Sequence, residues 1–315
     1  MGRYLVNRLI LSIPTLLLVS ILIFGGVRVI PGNVCYLVLQ TTEATEEQCN
    51  NVSHRLGLDR PAVEQYFSWL SSIVRGDFGV SMISQRPVVS EIQKRMNLTV
   101  ELSILSSVFA VVLAIPIGVY SALKQDKLPD YGLRILTIGW LSMPSFWVAT
   151  MLVTFPAKWW GYSTPVGFAD IWEDPVKNLE QLYMPAISLG LALSAGLARL
   201  TRSSMLEVLR QDYVRTARAK GLRERVVLSR HALKNAMLPV MTLFGLQLGF
   251  VMGGTVITES IFALPGLGTL LLTSVFTKDY IMIQGIVVVF AVLIILINLL
   301  VDLSYAWFDP RVRFS

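Results

Sequence analysis

The stretch YIMIQGIVVVFAVLIILINLLV, residues 280–301, contains no charged side chain over its 22 residues. A helix crosses about 30 Å of hydrocarbon with roughly 20 residues, because it rises about 1.5 Å per residue. The stretch therefore predicts a transmembrane helix. The composition of the whole chain agrees, since only 15% of its 315 residues are charged and its mean hydropathy is +0.60. A soluble globular domain carries about 25% charged residues, so the composition argues against an ordinary soluble enzyme.

Five further windows are uncharged over 18 to 24 residues. They cover 9–27, 102–123, 135–157, 181–198 and 235–258. We therefore predict an all-α, polytopic membrane protein with six transmembrane helices. The first window has an alternative, the core of a cleaved signal peptide. Its length exceeds the roughly 7 to 15 residues of such cores, which favours a retained anchor.

A seventh uncharged stretch, 260–277, contains the sequence ALPGLG at 263–268. Proline and glycine break helices, and irregular backbone at membrane depth must lie against protein rather than lipid. We therefore expect the segment 259–280 to be re-entrant or interfacial. In a transporter it would help to gate the outer side.

The Lys and Arg residues predict the orientation, because basic residues in short loops stay on the cytoplasmic side. With the amino terminus inside, the segments 1–8, 124–134, 199–234 and 302–315 hold 17 of the 27 basic residues. Of the 21 acidic residues, 14 fall on the outer side. The pattern predicts that both termini are cytoplasmic.

The long outer loop, 28–101, has apolar residues at helical spacing, so we expect amphipathic helices on the outer membrane surface. The residues concerned are Val63, Tyr66, Phe67, Leu70, Ile73, Val74, Val88, Ile92 and Met96. Both cysteines, Cys35 and Cys49, lie in the same loop. An oxidising exterior permits a disulfide between them, the alternative being two unpaired thiols. Neither has the Cys or His neighbours of a metal site, so no metal site is predicted.

The segment 199–234 carries ten basic and three acidic side chains. Ten minus three gives it a net charge of +7, which exceeds the net charge of +6 of the whole chain. It also has a helical pattern. Leu206, Leu209, Tyr213 and Ala217 form an apolar stripe, Arg210, Arg215 and Arg218 lie off it, and Gly221 is placed to end the helix. The alternative is a basic loop that fixes the topology and touches anionic lipid head groups. Such a loop needs charges but no amphipathic helix, so the pattern favours a docking segment.

Several chemistries are missing from the sequence. It contains no G-x-x-x-x-G-K-[ST], no G-x-S-x-G and no H-E-x-x-H, and its two histidines, His54 and His231, are predicted on opposite sides of the membrane. We therefore expect neither catalysis nor a bound cofactor from this chain. The centres of the windows also lack the ionisable groups that coupled carriers commonly use.

A transport path would have to use neutral polar groups. The candidates are Ser145, Thr150, Gln247, Thr255, Gln284 and Asn298. The alternative for each is a hydrogen bond between helices.

The chain resembles the permease subunits of bacterial ABC importers for dipeptides, oligopeptides and nickel, and the likeness runs nearly end to end. The segments that carry it are RYLVNRL at 3–9 with Ile13-Pro14, LGLDRP at 56–61, RGDFG at 75–79, MPSFW at 143–147, FALPGLG at 262–268, 298–302 and Asp309-Pro310-Arg311. Each is weak alone. Their order and spacing together are specific.

This resemblance implies a single transmembrane permease domain over 1–315, with the type I architecture, in the bacterial plasma (inner) membrane. It implies that 199–234 forms the coupling helix, which sits in a groove of a separate ATPase subunit. The residues so assigned are Tyr213, Arg215, Thr216, Ala217, Arg218, Gly221, Leu222, His231 and Leu233. Of the general motif E-A-A-x3-G-x9-I-x-L-P, only Ala217, Gly221 and Leu233 match. This departure from the general motif concerns the detailed contacts with the ATPase subunit and not the implied docking role.

The partners implied are a second homologous permease, two ATP-binding subunits that hold ATP and Mg, an extracytoplasmic binding protein, and membrane lipid. Di- or oligopeptides are the expected substrate, with nickel or another small solute as the alternative. The rivals from other classes are a self-contained channel or secondary carrier and, with less support, a membrane enzyme. Nucleic-acid binding is set aside, because the basic segment is tethered at the membrane and has no interleaved aromatic residues.

Overall fold

The computed structural model describes residues 2–29, 35, 39, 45–55 and 59–308. The quoted motif residues 56–58 and 309–311 lie outside these ranges. Within them the regular structure is helical, and the only strand-like pairing is an isolated antiparallel bridge between Val80 and Pro87. The prediction of an all-α protein is confirmed.

The chain forms two compact units. One comprises Met1–Asn97 with Gly266–Ile295, and the other comprises Leu98–Pro265 with Leu296–Ser315.

The first unit contains helices α1 (Gly2–Val29), α2 (Glu46–Arg55), α3 (Ala62–Val74), α11 (Leu267–Phe276) and the first parts of α4 (Val88–Leu123) and α12 (Tyr280–Phe308). The amphipathic helix α3 lies against α1, with ring centroids of Phe24 and Tyr66 5.3 Å apart and the hydroxyl groups of Ser20 and Tyr66 2.8 Å apart. Val88 to Met96 do not form a separate surface helix. They are the beginning of α4 (Val88–Leu123), because nothing in that stretch ends a helix.

The second unit contains the rest of α4, α5 (Leu128–Ser142), α6 (Ser145–Trp160), α7 (Pro175–Leu209), α8 (Asp212–Ala219), α9 (Glu224–Val226), a π-helical segment (Val227–Leu233), α10 (Lys234–Ile261) and the end of α12 (Tyr280–Phe308). Helix α7 is the core element. Along its length Leu182, Leu189 and Leu197 are buried, and small residues on it let neighbours approach closely. A Cβ atom on Gly190 would lie 2.8 Å from the backbone oxygen of Ser106 on α4.

Among the described residues, five continuous helical stretches are long and apolar enough to cross a membrane: Arg8–Val29, Val88–Leu123, Pro175–Leu209, Glu224–Ile261 and Tyr280–Val301. The pair α5 and α6 passes the same test together and is bent by 97° at the break. The break falls at Met143 and Pro144, where proline has no N–H for a continuous helix and disfavours a helical preceding residue. Each of the six predicted windows thus coincides with one helix or with the bent pair.

The segment predicted as re-entrant or interfacial contains the ten-residue helix α11, too short to cross a membrane alone. Before it, α10 ends at Ile261, and the N–H of Leu264 donates to the oxygen of Glu259 at 2.8 Å. This ending requires a left-handed residue, and Ala263 occupies that position with φ 52°.

Replacing Ala263 with glycine is expected to stabilise the protein by about 0.5–1 kcal/mol, because glycine adopts positive φ without the steric cost of a Cβ atom. The measurement is the midpoint of thermal unfolding in detergent. The matched control is Ala192→Gly, inside α7, which should lower the midpoint because glycine costs about 1 kcal/mol in a helix interior. A lower midpoint for Ala263→Gly would contradict the expectation.

Candidate functional site

The sequence pattern predicted one helix that carries the apolar stripe Leu206–Ala217 and ends at Gly221, but the structure has two helices there. Helix α7 runs to Leu209, and Gln211 adopts an extended conformation with φ −71° and ψ 147° before α8 begins. Leu206 and Leu209 therefore belong to α7, whereas Tyr213 and Ala217 belong to α8. The predicted continuous stripe is wrong, because the break changes the helical phase.

The buried face of α8 consists of Val214 and Ala217, which pack with Val227, Val208 and Leu209. Tyr213 is on the other side and is 43% exposed. Its hydroxyl oxygen accepts a hydrogen bond from Nδ2 of Asn235 at 3.0 Å. The short helix is thus fixed to the unit by a small apolar face and by one bond to α10.

Gly221 follows the end of α8 with φ 77°. Its N–H donates to the oxygen of Arg218 at 2.9 Å, and the N–H of Leu222 donates to the oxygen of Ala217 at 3.4 Å. These two bonds form a Schellman ending, in which the left-handed position is normally glycine. Gly221 therefore fixes where α8 ends and where the exposed side chain of Leu222 is placed.

The exposed face of α8 is basic and polar. The guanidinium of Arg215 lies 3.5 Å from the carboxylate of Asp212 and stays largely exposed, and the hydroxyl of Thr216 donates to the backbone oxygen of Asp212 at 2.9 Å. Arg218 forms a bidentate ion pair with Glu224, in which Nη2 donates to Oε1 at 2.7 Å and Nε donates to Oε2 at 3.1 Å. This pair ties α8 to α9 across the turn at Gly221.

The two remaining assigned residues lie after this turn, in the π-helical segment Val227–Leu233. π-Helical turns are rare in proteins as a whole, but those that occur are often found at functional sites. The backbone oxygen of His231 accepts from Nδ2 of Asn235 at 3.0 Å, and the half-buried Leu233 packs against Met205, Ala232 and neighbouring residues. Leu233 therefore contributes packing, while His231 is partly accessible at the surface.

A buried ion pair that the sequence analysis missed anchors this end of α7. Arg202 donates to both carboxylate oxygens of Asp130, at 2.8 and 2.7 Å. Ser121 also donates to this carboxylate, and the N–H of Asp126 does so at 3.1 Å. The Asp130 side chain is fully buried. The pair joins the ends of α4, α5 and α7, and no spacing in the sequence could indicate it, because the partners lie 72 residues apart.

The predicted path residues are divided between the two units. Gln284 lies in the first unit, and Ser145, Thr150, Gln247, Thr255 and Asn298 lie in the second. The hydroxyls of Thr150 and Thr255 donate to backbone oxygens of their own helices, at 2.8 Å each. Ser145 lines an apolar cavity of about 300 Å³ together with Trp140, Trp147 and Trp160. The path therefore stays a prediction.

In the first unit, the sulfur atoms of Cys35 and Cys49 are bonded as a disulfide. Among the residues that the structure describes, no group of three or more His, Cys, Asp or Glu side chains could hold a metal ion.

Comparison with known proteins identifies the family. Residues 114–314 match the "Binding-protein-dependent transport system inner membrane component" family, and residues 1–103 match the N-terminal domain of the same membrane components. The chain belongs to this family. It is a permease subunit of an ABC importer, a multi-pass protein of the inner membrane and not a catalytic subunit, as its sequence resemblance predicted.

Curated relatives match along the whole chain. The permease is 40% identical over 315 residues to the glutathione transport system permease protein GsiC of Escherichia coli (strain K12), covering 100% of both chains. The GsiC protein of Shigella dysenteriae serotype 1 (strain Sd197) gives the same identity and coverage.

Solved structures share the fold. A chain of the inward-facing MetNI methionine ABC transporter (CY5 SeMet soak crystal form) matches with a TM-score of 0.57 at 15% identity, covering 70% of this chain and 96% of its own. The CY5 native crystal form gives a TM-score of 0.54 at 14% identity, covering 70% of this chain and 97% of its own.

Proposed function

We propose that this permease is one half of a heteromeric transmembrane pore that imports di- or oligopeptides. A homologous permease forms the other half, and two ATPase subunits, which hold ATP and Mg, bind the segments 199–234. An extracytoplasmic binding protein delivers the substrate, and both termini of the permease are cytoplasmic. The peptide substrate is supported by the likeness to GsiC, which is named for glutathione, itself a small peptide.

The observation that carries the coupling role is the construction of α8. It is a short helix with a basic, exposed face, seated on the unit through Val214 and Ala217 and ended at a fixed point by Gly221. A partner that pushes on its exposed face would act on α7 through Val208 and Leu209, and on the π-helical segment through Val227. Closure of the ATPases would thereby favour one packing of the helix bundle over another.

Replacing Gly221 with valine is expected to uncouple ATP hydrolysis from uptake while membrane insertion stays intact. A β-branched residue at positive φ costs about 1–2 kcal/mol or more, so the ending of α8 shifts and Leu222 leaves its place. We expect uptake per ATP hydrolysed to fall at least about fivefold, the factor that corresponds to 1 kcal/mol. The measurement compares peptide uptake with ATPase activity for the complete complex in proteoliposomes.

Two control variants make this test specific. Gly167→Val carries the same kind of backbone strain, since Gly167 has φ 97° and no neighbour within 4 Å of an added Cβ atom, but it lies between α6 and α7 and should keep coupling. Gly221→Asn should keep most of it, because asparagine tolerates the left-handed region. Normal uptake per ATP in Gly221→Val would refute the assigned role of this residue.

The rival functions predict different results in the same apparatus. Transport by the purified chain alone, without ATPase subunits, would favour a channel or secondary carrier. Nickel rather than peptide as the ligand of the co-purifying binding protein would contradict the peptide assignment and leave the importer assignment in place.

A further inference from the structure

The first unit contains a tight turn, 79–87, between α3 and α4. The N–H of Val88 donates to the oxygen of Gly79 at 3.0 Å, and the N–H of Ser81 donates to the oxygen of Arg86 at 2.9 Å. Gly79 has φ 77°, and its N–H donates to the carboxylate of Asp77 at 2.9 Å. These bonds make the turn a compact element rather than a loose loop.

One face of this turn is exposed and the other is buried. Val80 is 47% exposed and the side chain of Arg86 is 66% exposed, whereas Ser81 and Met82 are buried. Met82 packs with Val27, Tyr280 and Ile283. The turn therefore offers an apolar and a basic group outward while it is seated on the beginning of α12.

The buried side is held by the carboxylate of Asp279, which is itself 3% exposed. Its Oδ2 atom accepts from the hydroxyl of Ser81, and its Oδ1 atom accepts from the N–H of Met82 at 3.2 Å. Oδ1 also accepts from the N–H of Met282 at 3.3 Å, so Asp279 caps the amino terminus of α12. The N–H of Asp279 donates to Ser274 of α11 at 2.8 Å. One residue thus joins the turn, α11 and α12.

We propose that Asp279 is a positioning residue that makes the turn 79–87 move together with α11 and α12, so that docking of the binding protein on the turn is transmitted to the predicted outer gate segment. This inference rests on the proposed function. The occupant of the exposed face is the binding protein, because the family is defined by its dependence on one and the turn lies in the predicted outer loop. Close packing supports a rigid connection, since a Cβ atom on Gly79 would lie 3.2 Å from Cγ2 of Ile281.

Replacing Ser81 with alanine removes its bond to Asp279 and the bond that its hydroxyl accepts from the N–H of Ser84 at 2.9 Å. It leaves the other bonds of Asp279 in place, including the cap of α12. The complete complex is reconstituted, and its ATPase activity is measured with and without the loaded binding protein. We expect the stimulation by binding protein to fall at least about tenfold, as expected for the loss of a hydrogen bond to a charged group. Basal ATPase activity should stay near that of the wild type, and the midpoint of thermal unfolding should fall by only about 2–4 °C.

Three further variants sharpen the test. Ser71→Ala is the matched control, because Ser71 is exposed on α3, outside the turn, and it should keep full stimulation. Asp279→Asn removes the charge from the same link and leaves only a weaker neutral hydrogen bond to Ser81, while asparagine still caps the helix. It should therefore lower the stimulation in the same direction as Ser81→Ala, even if that variant folds poorly. Ser81→Thr keeps the hydroxyl and should retain most of the stimulation.

The outcomes separate the two proposals. If the wild-type complex is stimulated and both Ser81→Ala and Asp279→Asn are stimulated equally, the relay through Asp279 is overturned and the proposed function stands. If the wild-type complex is not stimulated by any loaded binding protein, the proposed function fails and the relay fails with it. Loss of basal activity together with loss of stimulation would also overturn the relay, because it would assign Asp279 a purely structural role.

Discussion

Replacing Arg202 with methionine is expected to lower the free energy of unfolding by about 3–5 kcal/mol. The substitution leaves the carboxylate of Asp130 fully buried without its cation, while the hydrogen bonds from Ser121 and from the N–H of Asp126 remain. A buried charge without its partner keeps the whole cost of leaving water. The measurement is unfolding by SDS titration in mixed detergent micelles.

Two comparisons isolate the electrostatic origin of this loss. Arg199→Met makes the same change at an exposed position of α7, and its effect should lie within about 0.5 kcal/mol of zero. Asp130→Asn combined with Arg202→Met removes the buried charge as well as its partner, so the double variant should recover part of the lost stability. Equal losses in Arg199→Met and Arg202→Met would contradict the assignment.

Lysine should not replace Arg202 well. The guanidinium of Arg202 meets both oxygens of Asp130 with a planar fork, through Nε and Nη2. An ammonium group cannot reproduce this geometry, so Arg202→Lys should lie between the wild type and Arg202→Met. The pair joins α4 and α5 to the last turns of α7, shortly before α8. Its loss should therefore also weaken the base on which the coupling segment rests.

The sequence predicted the spans well and the contacts between them poorly, and the reason is physical. A span follows from composition over about 20 residues, which is a local property, so each of the six windows coincides with a helix or with the bent pair. The bend between α5 and α6 follows equally from Pro144. The pair of Asp130 with Arg202 depends on how distant helices pack, and no local pattern encodes it.

The coupling segment was predicted in part. Its charge and its glycine are visible in the sequence, and Gly221 does end α8. The break at Gln211 was missed because no glycine or proline marks it, and Asp212 alone is a weak signal for the start of a helix. As a result the stripe was continued through Tyr213, whereas Val214 is the buried residue. When apolar residues are assigned to the faces of one continuous helix, the assignment cannot show that a single extended residue turns the second helix to present a different face.

Replacing Gly118 with leucine is expected to have an effect of similar size, by preventing α4 and α7 from packing. A Cβ atom at Gly118 would lie 2.6 Å from the backbone oxygen of Ala198 and 2.6 Å from Cβ of Thr201. Backbone atoms inside a helix cannot move aside, so the helices must separate, and buried contacts on both sides are lost. We expect a loss of about 3 kcal/mol or more, the upper end of overpacking costs. The measurement is the yield of monodisperse protein together with its unfolding in SDS.

The chain offers a matched control for this substitution. Gly139 also lies inside a helix, α5, but an added Cβ atom there meets nothing within 4 Å. Gly139→Leu should keep the yield and gain slightly in stability, because leucine favours the helix more than glycine. If Gly118→Leu and Gly139→Leu behave alike, the close approach of α4 to α7 at Gly118 is refuted.

Gly118 and the buried ion pair belong to the same junction. Gly118 precedes Ser121, which donates to Asp130, by about one turn of α4, and Thr201 directly precedes Arg202 on α7. Contacting residues are not additive. Once Gly118→Leu has separated the helices, Arg202 no longer reaches Asp130, so adding Arg202→Met should cost much less than it does alone. If the losses in unfolding free energy of the two substitutions add fully, the ion pair forms independently of the helix crossing. The close approach of α4 to α7 would then not be what brings Arg202 to Asp130.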